Sequence, residues 1–115
     1  MKIKASATVV VSMHPSALHA MEVVDRVWRK IVGRHARITG LGEEGHSEGS
    51  LHYGIPGDIR TRAFDVDADE EALPTHLRDE VDAELRRRLP RGEFDIILEA
   101  SGTPNVHYHI ETDPR

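Results

Sequence analysis

The chain has 115 residues, 38% of them hydrophobic and 30% charged, with a formal net charge of −5. That length suits one domain spanning 1–115 and is short for two. No apolar run approaches a membrane span, and an acidic chain without a basic block is a poor partner for nucleic acid, whose affinity rests largely on phosphate neutralisation. There is no cysteine, which excludes disulfides and thiolate metal sites and leaves His, Asp and Glu to hold any ion. Aromatic residues are only 4%, so the core is expected to be built mainly from Val, Ile, Leu and Ala.

Residues 2–11 read as a first strand. Ala5 to Val11 mixes small, polar and β-branched residues, and no small-x-small cleavage site follows a proper apolar stretch. The expectation is therefore no export signal and a cytoplasmic protein as synthesised. Pro15 suits the first turn of a helix, with Ser12 or His14 near the cap. Leu18, Met21, Val24, Trp28 and Ile31 recur at helical spacing, and Gly33 is a plausible stop. Ala36 to Thr39 reads as a short strand, closed by Gly40-Leu41-Gly42.

Residues 43–57 hold four glycines, one proline and no helical period, the signature of a loop that carries function on a rigid scaffold. Partial alternation predicts a strand over Asp58 to Phe64, followed by an acidic, solvated stretch from Asp65 to Glu71. Pro74 is expected to open a second helix with Leu77, Val81, Leu85 and Leu89 on one face. Its acids lie early (Asp79, Glu80) and its arginines late (Arg86, Arg87, Arg88), which complements the helix dipole. Phe94 to Ala100 is the most apolar strand and Ser101 to Asn105 a turn. Val106 to Thr112 alternates, placing His107, His109 and Glu111 on one face. The order β, α, β, loop, β, α, β, β predicts an α+β fold, a mostly antiparallel sheet with two helices packed on one face.

The chain has eight histidines. Two segments concentrate them with carboxylates: His46, His52 and then Asp58 in and after the glycine-rich loop, and Glu99, His107 and His109 near the C-terminus. Two imidazoles on one strand face can share a metal, and a His and an Asp across a glycine-rich turn can converge on one ion. Glu99, at the end of an apolar strand, suits a general base. Each feature alone also fits a solvated surface.

Taken together, His46-Ser47-Glu48-Gly49-Ser50-Leu51-His52-Tyr53 with Gly57-Asp58, then Glu99 and His107-Tyr108-His109-Ile110-Glu111, resemble the two signatures of the Hedgehog/D-Ala-D-Ala peptidase superfamily. The resemblance implies a zinc ion held by His52, Asp58 and His109, with Glu99 as the catalytic base and His107 and His46 lining the site. It implies a D-Ala-D-Ala carboxypeptidase-like hydrolase acting on peptidoglycan stem peptides or cross-links; delivery to the cell wall by a phage would reconcile that substrate with the expected absence of an export signal and the negative charge. The alternative is a non-catalytic zinc-binding interaction module on the same fold.

Overall fold

The computed structural model describes residues 2–3, 13–40 and 62–112. His46, His52 and Asp58 lie outside the described residues, as do 4–12 of the first expected strand and the whole of the glycine-rich loop. Among the described residues five strands form one sheet in the order β1-β2-β3-β5-β4. They are β1 (Lys2–Ile3), β2 (Arg37–Thr39), β3 (Ala63–Asp67), β4 (Phe94–Glu99) and β5 (His107–Thr112). β2 with β3, β3 with β5 and β5 with β4 pair antiparallel, and β1 pairs parallel with β2. Two helices, α1 (Pro15–Ile31) and α2 (Arg78–Arg88), share one apolar core with the sheet face that carries Ile38, Phe64, Val66, Ile96, Tyr108 and Ile110. The expected α+β architecture is present.

α1 starts where Pro15 permits. His14 caps it, its Nδ1 accepting the Ser16 N–H at 3.1 Å, and Arg29 and Lys30 occupy the last turn, where cations are favoured. The apolar stripe is rotated from the expected one. Ala17, Ala20, Met21, Val24, Val27 and Trp28 are buried, while Leu18 is 41% exposed. The small side chains of Ala17 and Ala20 let the helix lie close to the sheet, and Leu18 falls beyond that contact. Gly33 ends the helix in the left-handed region (φ +83°), its N–H donating to the Trp28 carbonyl at 3.0 Å.

The third strand corrects the expectation more substantially. It spans Ala63–Asp67, so Asp65 and Asp67 belong to the sheet and not to a solvated acidic stretch. Phe64 and Val66 alternate with these acids and bury themselves against the helices. The period of two is therefore intact, and the acids occupy the opposite face. α2 follows a short 3-10 turn, Thr75–Leu77. It buries Val81 and Leu85, with Leu89 just beyond its end, whereas Leu77 is only partly buried. Glu84 ties the helices together, 2.6 Å from both Arg87 and Arg88 and 3.7 Å from Lys30 of α1. Hydrogen bonds from Arg87 and Arg88 hold its carboxyl at about 2. β4 is an outer strand, which leaves Ile97 51% exposed in spite of its apolar sequence.

Asp25 is the buried acid of α1, 5% exposed. It accepts the Ala36 N–H at 3.0 Å and lies 3.1 Å from His35 Nδ1 and 3.2 Å from Arg29 Nε. Burial pushes its pKa up, and lowering contributions that include the hydrogen bonds from Ala36 and His35 hold it below its ordinary value. A carboxyl depressed on folding stabilises above its unfolded pKa, near 4 (roughly), and loses that contribution as pH falls through the folded value. Asp25→Asn is expected to cost about 2 kcal/mol at pH 7 and to lose less stability than the wild type between pH 5 and pH 2 (roughly). Denaturant titrations across that range measure both, and parallel pH profiles would refute the assignment.

Candidate metal centre

The face of the sheet opposite the helices carries the polar half of each strand. β5 lies between β3 and β4, with Asp65 opposite His109, Asp67 opposite His107, Ile97 opposite His109 and Glu99 opposite His107. Strand alternation thus delivers Asp65 from β3, Glu99 from β4, and His107, His109 and Glu111 from β5 to one patch, as the sequence spacing of the histidines implies.

Within this patch Asp65, Glu99 and His107 form a group that could hold a metal ion, with one ligand atom from each lying within 4.8 Å of the others. The donor set suits a divalent ion of the zinc type, which accepts imidazole nitrogen and carboxylate oxygen. His107 is oriented for the task. Its Nδ1–H donates to the Asn105 carbonyl at 2.7 Å, and its Nε2 points to Glu99 Oε1 at 3.4 Å. A backbone carbonyl on the far nitrogen is the usual way a ligating imidazole is fixed in tautomer and direction. The turn Ser101 to Asn105 supplies that carbonyl. The turn is held by the Thr103 hydroxyl, which donates to the Ala100 carbonyl and accepts the Asn105 N–H.

His109 is placed differently. It is 9% exposed, with Nδ1 2.9 Å from Asp65 Oδ1 and Nε2 2.5 Å from Glu111 Oε1. Burial opposes its charge, but the hydrogen bonds to Asp65 and Glu111 prevail and push its pKa up to about 10. At neutral pH it is an imidazolium, with both ring N–H groups donating to carboxylates. Glu99 lies between the two imidazoles, 3.7 Å from His109 Nδ1, and its side chain is 47% exposed.

The structure therefore places Glu99, His107 and His109 side by side, with His109 outside the group that could hold an ion, and adds Asp65, which the sequence reading passed over. The missed signal was the alternation Ala63-Phe64-Asp65-Val66-Asp67, obscured by the acids that follow it. Gly40 makes room for this carboxylate. A Cβ added there would lie 2.6 Å from Asp65 Oδ2, and Gly40 has φ +66°. Gly40→Ala is expected to cost about 1–2 kcal/mol through its left-handed backbone and to weaken metal binding at least about tenfold by displacing Asp65. Calorimetric zinc titration of the variant tests this, and unchanged affinity would show that Asp65 is not held by this contact.

No family model matches the chain, and neither a curated protein nor a solved structure matches it. No helix among the described residues is long and apolar enough to cross a membrane.

Proposed function

We propose that the chain is a zinc-dependent peptidase of the Hedgehog/D-Ala-D-Ala carboxypeptidase type and fold, acting on peptidoglycan stem peptides or cross-links. The observation that carries this reading is the Asp65, Glu99 and His107 group on the open sheet face. The resemblance of the two histidine-bearing segments to that superfamily supplies the substrate.

In this reading Asp65 and His107 hold the ion, with His52 as the third ligand from the glycine-rich segment. Asp65 takes the carboxylate role that the resemblance gives to Asp58. His107 takes the imidazole role that it gives to His109, because both nitrogens of His109 face carboxylates. Zinc, when bound, polarises a carbonyl and lowers the pKa of water toward neutrality. Glu99, the most exposed of the three, accepts a proton from water and returns it to the leaving amine. His109 keeps Asp65 in position and adds positive charge beside it.

The same group supports the second reading, a non-catalytic zinc module, if Glu99 is itself a ligand and no base remains. Glu99→Gln separates the two. The peptidase reading expects about one zinc per chain to be kept and hydrolysis of peptidoglycan fragments to fall by about 10²–10⁴-fold. Loss of the zinc from Glu99→Gln, together with an inactive wild type, selects the module.

A further inference from the structure

We propose that the outer edge of β4, with the groove beside it, takes an extended peptide segment carrying an acidic side chain, bound as an added strand. The inference rests on this edge and groove and needs no metal ion, although Ile97 shares the open sheet face and lies opposite His109.

β4 closes one side of the sheet and pairs only with β5 among the described strands. Its other edge presents the outward backbone N–H and C=O groups of a six-residue strand, except the Phe94 N–H, which donates to the Pro90 carbonyl at 3.1 Å. Natural edges are commonly blunted by charged side chains, above all Lys, by Pro or by a bulge; Phe94–Glu99 contains neither Lys nor Pro, and its charged residues are Asp95 and Glu99. Ile97 stands on this strand 51% exposed. A groove of about 440 Å³ runs alongside, its apolar lining including Leu89, Phe94 and Ile97 and its charged lining Arg86, Arg91 and Asp95.

These parts match strand addition, in which backbone hydrogen bonds give affinity and alternate side-chain pockets give selectivity. Leu89 and Phe94 offer apolar contact to added-strand residues that point toward the helices, and Ile97 to those that point toward the open face. The charge of the groove selects among peptides. Two guanidinium groups face one carboxylate. Arg86 uses Nε on Asp82 at 2.8 Å, leaving its terminal nitrogens, and Arg91 makes no ion pair among the described residues. An acidic side chain therefore complements the groove and a lysine opposes it.

The test is fluorescence anisotropy with fluorescein-labelled Thr-Val-Glu-Val-Thr-Val amide and its counterpart with Lys in place of Glu. The acidic peptide is expected to bind at least about tenfold more tightly than the lysine peptide. Arg91→Glu, alone and with Arg86→Glu, should erase that preference, and Ile97→Lys should weaken binding of the acidic peptide at least about tenfold. Thermal melts of Arg91→Glu and Ile97→Lys should match the wild type, and EDTA should leave binding unchanged. Equal affinity for the two peptides, or binding abolished by EDTA, would overturn the proposal. So would a wild-type dimer in sedimentation that Ile97→Lys dissociates and the acidic peptide does not, which assigns the edge to a second copy of the chain.

Discussion

Asp65→Asn is expected to lower zinc affinity by at least about 100-fold and, on the peptidase reading proposed above, to abolish hydrolysis, while leaving the protein folded. The asparagine keeps the shape of the side chain and an oxygen, but it removes the negative charge that an ion needs from an oxygen ligand. It also removes the carboxylate that His109 Nδ1 meets at 2.9 Å. Altering even an outer-shell partner commonly costs 10–100-fold (roughly) in metal affinity, so a ligand should cost at least as much. His107→Ala is expected to behave alike, since its Nδ1–H donates to the Asn105 carbonyl and its Nε2 is left for an ion. The comparison that decides is with Asp58→Asn and His109→Ala, read by elemental analysis after dialysis against a weak chelator. Zinc retained in Asp65→Asn but lost in Asp58→Asn and His109→Ala would return the ligand set to the one the resemblance implies. His109→Ala should reduce affinity less than His107→Ala, because its part is to hold Asp65.

The histidines of this patch were legible from sequence because a strand has a period of two, and His107, His109 and Glu111 can share a face in no other way. Glu99 was legible because the antiparallel return through Ser101 to Asn105 brings the end of one strand beside the start of the next. Asp65 was not. Its neighbours Asp67, Asp69, Glu70 and Glu71 give the stretch the composition of a solvated loop, and only Phe64 and Val66 betray the strand. The site recruits acids onto a sheet face that cations and imidazoles neutralise: Arg37 Nε meets Asp67 at 2.8 Å, and His109 meets Asp65. Composition alone does not reveal such partners because they come from distant strands. The misplaced Leu18 has a related cause. Helical spacing defines a stripe but not its centre, which is set by which side chains are small enough to meet the sheet.

Trp28→Ala is expected to destabilise the protein by about 4 kcal/mol, lowering the melting temperature by about 15 °C for a chain of this size. Trp28 is 1% exposed and heads the fully buried side chains by volume. Its Nε1–H donates to the Ala72 carbonyl at 2.8 Å, fixing the segment that leads into α2. Its ring meets Tyr108 edge-on, with centroids 6.4 Å apart and planes at 88°, a favoured aromatic geometry. Trp28→Phe, which keeps an aromatic ring and loses the hydrogen bond, should cost roughly half as much. Tyr108 in turn donates its hydroxyl to Asp82 of α2 at 2.9 Å. Burial, reinforced by that bond, pushes its pKa well above the ordinary tyrosine value. Tyr108 sits between His107 and His109, so the same packing that anchors its ring to the helices turns both imidazoles to the open face. Zinc titration of the two Trp28 variants then reads packing through the site. Trp28→Phe should keep near wild-type affinity, and Trp28→Ala should lose affinity even well below its melting temperature. If Trp28→Ala binds zinc as the wild type does, β5 holds its register through backbone pairing with β3 and β4 alone, and the core contributes stability without positioning the metal centre.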